Sequence, residues 1–382
     1  MAGIYIHIPF CASRCIYCAF YSTTSLDLRQ RYVDAVCKEL TLRGEWREVR
    51  GERNDLRAEN FETIYLGGGT PSQLTINQLH QIFDALYIYN KVPDTAEVTI
   101  EVNPDDVSVE FAAALQQLPI NRISMGAQTF DDHRLQFLHR RHTSAQVAVA
   151  VRRLRAAGIR NISVDLMYGF PGETLSDWAH DIEAALALNV EHLSAYCLSI
   201  EEGTPLWKWT MDNGPWIMDE ELERAMYYHL IDRLESAGFE HYEISNFARP
   251  GFRSRHNSSY WTDIPYLGLG VAAHSFDGHT RSWNVADIHQ YIDAIEQGKR
   301  LFDAETIEGD TRYNDLLTTA LRTREGLDLS LLSERHRDYC LHSARRFIDD
   351  NLLTTNDGHL ALTRRGLFVS DMVIRGLMLV DD

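Results

Sequence analysis

Ile4-Tyr-Ile-His-Ile-Pro-Phe-Cys11-Ala-Ser-Arg-Cys15-Ile-Tyr-Cys18 joins a short alternating run to three cysteines at C-x3-C-x2-C spacing. Apolar residues at 4, 6 and 8 repeat with period two, the pattern of a strand with two unlike faces. Pro9 ends that strand and opens a loop. Spacings of four and three also line up on one side of a helix, but the proline and the strand before it oppose a helix. Three thiolates this close on a loop can hold three irons of a four-iron cluster and leave the fourth iron without a protein ligand. Cys11, Cys15, Cys18 and His7 are also a chemically legal zinc set.

Outward from this stretch, strand-like runs recur near 63 to 67, 97 to 103, 122 to 128, 161 to 167 and 192 to 199. Amphipathic, helix-like stretches fall between them, near 28 to 45, 75 to 88, 108 to 117, 144 to 157 and 174 to 188. Six β-then-α units in succession imply a parallel sheet with crossover helices. One strand face carries Ile4, Ile6, Ile8, Ile64, Leu66, Val98, Ile100, Val102, Ile123, Met125, Ile162, Val164 and Leu166, and is expected to pack under the helices. The other carries Tyr5, His7, Tyr65, Thr99, Glu101, Ser124, Gln128, Ser163, Asp165, Ser194 and Tyr196. A sheet covered on both faces reads as nearly continuous apolar residues, and a closed eight-stranded barrel fills with branched aliphatics. A polar inner face instead predicts a partial (β/α)6 barrel around a large polar ligand, bound at the carboxyl ends of the strands.

The α/β unit is expected to span 1–245. Residues 246–304 are expected to be a connecting segment, in which the glycine- and aromatic-rich stretch Phe247 to Trp283 reads as loops against the barrel mouth. Residues 305–382 read as a small helical unit with a hairpin near 352 to 363. A net charge of −18 argues against binding nucleic acid through its phosphates. Of six cysteines, Cys37, Cys197 and Cys340 are scattered, which does not suggest a disulfide framework and fits a reducing cytoplasm. Cys197 should face the helices as a packing residue. No signal-like start and no apolar run long enough to cross a membrane is evident.

Gly67-Gly68-Gly69-Thr70-Pro71-Ser72 closes the second strand, where glycines let the backbone approach a ligand with no side chain in between. The same run is compatible with a plain tight turn. Glu101 and Asp165 point into the predicted lumen, and a buried carboxylate needs a partner. Ligand hydroxyls would serve, as would an internal network with Gln128 and Arg140.

These motifs together resemble the radical S-adenosylmethionine (SAM) superfamily, and specifically its HemN and HemW branch. The likeness runs over nearly the whole chain, through Tyr5-Ile-His-Ile-Pro-Phe-Cys11, Gly67-Gly-Gly-Thr-Pro-Ser72, Arg122-Ile-Ser-Met-Gly-Ala-Gln128, Asp165-Leu-Met-Tyr-Gly-Phe-Pro-Gly-Glu-Thr174 and Tyr266-Leu-Gly-Leu-Gly270. The resemblance implies a 4Fe-4S cluster on Cys11, Cys15 and Cys18, SAM contacts at Tyr5, Gly68, Gly69, Thr70 and Glu101, and a winged-helix-like terminal domain over 305–382. The second-SAM contacts of the dehydrogenase members fall on Tyr17, Gln128, Arg140 and Asp165. His256-Asn-Ser-Ser-Tyr-Trp261 matches the H-N-x-x-Y-W motif of the heme-chaperone members, implying heme bound through His256. A lone histidine beside aromatics is otherwise most often a hydrogen-bonded loop residue.

Two activities are therefore open. One is a cytoplasmic heme chaperone, passing heme to acceptor hemoproteins among respiratory enzymes at the membrane face, with an electron donor such as flavodoxin or ferredoxin. The other is an oxygen-independent coproporphyrinogen III dehydrogenase of porphyrin biosynthesis. Members of the second kind carry a further cysteine where Phe20 stands, and a longer extension before the first cysteine.

Overall fold

A computed structural model describes residues 2–49, 61–214, 216 and 218–380. Six parallel strands form the centre of one large sheet: β1 (Ala2–Ile8), β2 (Phe61–Gly68), β3 (Glu97–Val102), β4 (Arg122–Gln128), β5 (Asn161–Tyr168) and β6 (His192–Cys197). Helices α1 (Arg29–Val49), α2 (Ile76–Tyr89), α3 (Val109–Leu115), α4 (Asp132–Phe137), α5 (Ser144–Ala156) and α6 (Leu175–Ala187) lie between them. Each expected strand and helix up to residue 199 is present, and the six-residue α4 is additional. It starts where Asp131 accepts hydrogen bonds from the amides of His133 and Arg134.

Strand register explains why the faces segregate. Ile6, Leu66, Ile100, Ile123 and Ile162 are direct partners across five neighbouring strands, and all are fully buried in the main core. Such a side chain contributes roughly 1.5–3 kcal/mol by leaving water. One residue earlier, Tyr5, Tyr65, Thr99, Arg122 and Asn161 form the matching row on the opposite face. Thr99, Ser124, Ser163 and Ser194 on that face are polar yet buried, as an inward-facing lumen requires. The polar lining read from the alternation is therefore present.

After β6 come α7 (Pro205–Asn213) and α8 (Glu220–Ser236), then β7 (Glu240–Glu243) and β8 (Asn246–Ala248), which extend the sheet antiparallel beyond β6. The stretch 247–283 is not mainly loops: β8, α9 (Arg255–Trp261), β9 (Tyr266–Leu269), β10 (His274–Phe276) and β11 (Thr280–Asn284) fall on it, and the nine-residue α10 (Ile288–Glu296) follows. Strand β9 runs parallel to β1 on its free side, and β10, β11 and β12 (Phe302–Thr306) continue outward antiparallel. Elements of three to seven residues are too short to show a period, which is why the sequence reads as loop here. Helix α9 also sits at the opposite end from the expected mouth. Its His256 lies beside Gly3 and Thr63, at the starts of β1 and β2.

A second core, built on Tyr313, Leu317, Cys340, Phe347, Leu360 and Leu377, holds the carboxyl-terminal elements together. These are α11 (Gly309–Ala320), β13 (Leu327–Asp328), α12 (Glu334–Asp349), the hairpin β14 (Leu353–Asn356) and β15 (His359–Leu362), α13 (Arg364–Phe368) and α14 (Ser370–Arg375). The hairpin falls where the sequence places it. No helix among the described residues is long and apolar enough to cross a membrane.

Candidate functional site

The cysteine loop is tied at its base. Cys11 N donates to Thr23 O at 2.9 Å and Thr23 N to Pro9 O at 2.7 Å, while Phe10 is buried edge-on against Tyr32. Its tip is tied too: Ile16 N donates to Leu138 O, and the Ile16 side chain packs with Leu138, Met167, Phe170, Leu198 and Leu206. Cys11, Cys15 and Cys18 are free, partly buried thiols on this pinned loop at the carboxyl end of β1. Burial pushes the Cys11 and Cys18 thiols up, so a cationic metal partner would be needed to hold them as thiolates.

The zinc alternative fails at its fourth ligand, His7. Both nitrogens of His7 are engaged, Nε2 with Tyr21 O at 2.9 Å and Nδ1 with the Tyr5 hydroxyl at 3.0 Å. Burial lowers the ring to about 4, so it is neutral. The carbonyl contact requires the proton on Nε2, which leaves Nδ1 to accept from Tyr5.

Gly67, Gly68 and Gly69 line the carboxyl end of β2 beside this loop. A Cβ on Gly69 would meet Pro9 C and O at 2.7 and 2.8 Å and Ile8 O at 2.9 Å, all of them backbone. One on Gly67 would meet Glu101 Oε1 at 2.9 Å, and Gly68 has φ +110° with the His7 ring where its Cβ would go. Only glycine keeps this edge open. Thr70 Oγ1 lies 3.6 Å from Cys11 Sγ and 3.3 Å from Asn103 Nδ2; Asn103 Oδ1 accepts from Arg140 Nη2 at 2.8 Å; and Arg140 Nη1 lies 3.5 Å from Cys15 Sγ. A chain of polar contacts therefore joins two of the cysteines through β2, β3 and the segment after α4. Tyr17 is drawn into it, with burial pushing its hydroxyl up and Arg140 and Cys15 as neighbours. Asn103 carries no signal of its own in the sequence; it lies just past the end of β3, two residues after Glu101.

Deeper in the lumen, Glu101 accepts from the Tyr65 hydroxyl at 2.8 Å and from Gly68 N at 3.0 Å. Burial pushes its carboxyl up to about 7. Asp165 accepts from Ser124 Oγ at 3.2 Å and is likewise raised by burial. Neither carboxylate forms a direct ion pair among the described residues, although Arg122 lies near enough to both to oppose the rise; Arg140 bonds Asn103 and Gly126 O. Gln128, at a bulge in β4 with φ +69°, is buried beside Gly126 and Arg140. The internal ion pair read as an alternative for these four residues is thus not formed. Half-buried carboxyls with Arg122 near but no cation in direct contact, beside an edge kept open by glycine, suit the hydroxyls and amine of a polar ligand. The residues present fit a cluster and SAM.

His256 stands apart from this mouth. It is fully buried, with Nδ1 2.8 Å from Thr63 Oγ1 and Nε2 2.8 Å from the Tyr260 hydroxyl, and its ring stacks on Tyr65 at 5.1 Å. Burial pulls the ring down to about 3. A neutral imidazole is what heme iron takes, but neither nitrogen is free here. As the fold stands, His256 does not fit heme.

Comparison with known proteins bears on the whole arrangement. Residues 5–185 match the radical SAM superfamily model and residues 307–369 the HemN C-terminal domain. The heme chaperone HemW of Bacillus subtilis (strain 168) is 34% identical over 88% of this chain and 87% of its own length. That of Mycobacterium tuberculosis (strain ATCC 25618 / H37Rv) is 34% identical over 98% and 94%. This chain belongs to the HemW family. Among solved structures, coproporphyrinogen III oxidase (HemN) from Escherichia coli superposes with a TM-score of 0.83 at 21% identity, covering 99% of this chain and 90% of that one. The HemW family member described here thus shares the HemN fold. Phe20, where the dehydrogenase members carry a further cysteine in the resemblance set out above, is 71% exposed.

Proposed function

We propose that this chain is a heme chaperone that binds heme and passes it to acceptor hemoproteins, with a 4Fe-4S cluster on Cys11, Cys15 and Cys18 and SAM at the open edge of β2. The observation carrying this reading is the identity of about a third, over nearly full length, to relatives named heme chaperone HemW. When bound, the cluster supplies an electron and an open iron for the SAM amino and carboxylate groups.

The chain's own residues do the rest. Thr70 and Arg140 face the sulfurs of Cys11 and Cys15, placing one hydroxyl and one positive charge against the cluster ligands. Gly67 to Gly69 leave backbone groups open to a ligand amine, and Glu101 and Tyr5 would contact SAM, Glu101 through a ribose hydroxyl. Tyr17, Gln128, Arg140 and Asp165 would be the contacts of a second SAM. The proposed setting is the cytoplasm, with peripheral contact at the membrane where respiratory acceptors reside, and a flavodoxin or ferredoxin as electron donor. The net charge of −18 argues against general binding to nucleic-acid phosphate.

The alternative, coproporphyrinogen III dehydrogenase, is supported by fold likeness alone, and fold does not fix function. Anaerobic reconstitution followed by heme titration tests the proposal, with a saturable Soret change as the expected result. Conversion of coproporphyrinogen III to protoporphyrinogen by the reduced protein with SAM would overturn it.

A further inference from the structure

The H-N-x-x-Y-W helix is held at both ends, by different parts of the chain. At its amino end, Glu97 on β3 accepts from the backbone amides of Arg255 and His256, both at 3.0 Å, and Arg255 Nη2 bonds Glu62 Oε2 at 2.8 Å. In the middle, His256 is locked between Thr63 and Tyr260. At the carboxyl end the holders belong to the terminal unit. Arg312 on α11 makes a two-pronged ion pair with Asp263, just past the helix, one prong at 2.5 Å. Arg322 lies over the Trp261 ring at 4.9 Å while its Nη2 pairs with buried Glu243 at 2.8 Å. Asp263 itself has φ +59°, a left-handed conformation that the ion pair helps to hold. The indole N–H of Trp261 is buried with no partner, a cost the closed arrangement carries.

We infer that α9 is a latch: its closed form seals the strand-start end of the barrel and buries His256, and the carboxyl-terminal unit, through Arg312 and Arg322, keeps it shut. This rests on the heme-chaperone reading and specifies how its histidine is controlled. A ligand that needs one minor conformation binds with an affinity reduced by the fraction of molecules in that conformation. Access to His256 is therefore set by how firmly the terminal unit grips α9. A protein that drew the terminal unit toward itself would free the histidine.

Chemical access to His256 reads the latch directly. The full-length protein is treated with diethyl pyrocarbonate, and modification of His256 is followed by peptide mass spectrometry, with exposed His133 and His289 as internal standards. In the wild type His256 should label far more slowly than the standards. Arg312→Gln and Asp263→Asn, near-isosteric changes at partly exposed positions, should each speed its labelling roughly tenfold, as loss of about 1.4 kcal/mol of closure would. The standards should not change. Labelling of wild-type His256 at the rate of the standards, or at one rate in all three proteins, would overturn the latch. Heme titration of the same proteins separates the two ideas. Tighter heme binding in the released variants, abolished by adding His256→Ala, supports both. Faster labelling with heme binding indifferent to His256→Ala supports the latch and removes His256 as the ligand.

Discussion

Arg140 Nη1 lies 3.5 Å from Cys15 Sγ, and Nη2 of the same guanidinium is 2.8 Å from Asn103 Oδ1. A buried cation is thereby aimed at one proposed cluster ligand by a residue on the next wall of the lumen. Positive charge and N–H donors near cluster sulfur favour the reduced state. Arg140→Met should let the cluster assemble but shift its reduction potential to more negative values, read by anaerobic EPR titration. Asn103→Ala frees the guanidinium and should shift it the same way by less. Equal potentials in all three proteins would mean that Arg140 acts only in packing.

Replacement of Gly69 by alanine probes the open edge of β2. Its Cβ would lie within 2.9 Å of three backbone atoms of Ile8 and Pro9, which cannot swing aside as a side chain can. Forced overpacking of this kind costs roughly 1–3 kcal/mol. The expected outcome is a lower melting temperature together with loss of the spectral response to SAM, because the displaced Ile8 and Pro9 lead directly into the loop that carries Cys11. A variant that binds SAM with wild-type affinity would show that the glycine serves the turn alone.

Cys11, Cys15 and Cys18 should each be needed for iron, and the other three cysteines for none of it. Cys197 is packed against the main core, as its place in β6 predicts, and Cys340 is buried in the second core. Cys37 faces the carbonyl of Gln81 at 3.7 Å. Single alanine variants of the loop cysteines should fall well short of four irons after reconstitution. Cys37→Ala and Cys340→Ala should retain wild-type iron and sulfide while losing some stability, more at the fully buried Cys340.

What could be read from sequence follows from element length. Six strands of six to eight residues, each with a clean alternation, place both the core row through Ile6, Leu66 and Ile100 and the polar row beside it. The cysteine loop and the glycine run then fall at strand ends without further information. Beyond residue 199 the seventeen-residue α8 went unread, as did the antiparallel strands that flank the parallel centre. Strands of three to five residues give period-two alternation too little room, and their partners are set by tertiary contacts. The placement of His256 was also hidden. The motif names residue types, whereas the barrel end that α9 covers depends on Glu97 and Thr63, far away in sequence. One local signal was available: His256 and Tyr260 are four apart on a helix and so lie within bonding reach of each other.

Glu101 sets a pH dependence whose sign follows from its burial. Its ordinary value is 4.5 and burial raises it to about 7 in the fold, against the opposing pull of its bonds to Tyr65 and Gly68. Below 4.5 both folded and unfolded chains hold the proton, and its contribution to stability is fully present. Between 4.5 and 7 the unfolded chain has released the proton while the folded chain retains it, so stability is lost as pH rises, levelling off above 7. Other buried groups titrate as well, among them His7 and His256 with lowered values, which act in the opposite sense as pH falls. The comparison that isolates Glu101 is therefore wild type against Glu101→Gln, whose amide can still accept from Gly68 N and donate to Tyr65. Urea unfolding of the ligand-free protein from pH 5 to 8 should show the glutamine variant gaining on the wild type by about 2 kcal/mol across that range. A difference that stays constant with pH would mean that Glu101 titrates at its ordinary value. The carboxylate would then have to be solvated in the lumen rather than kept dry for a ligand.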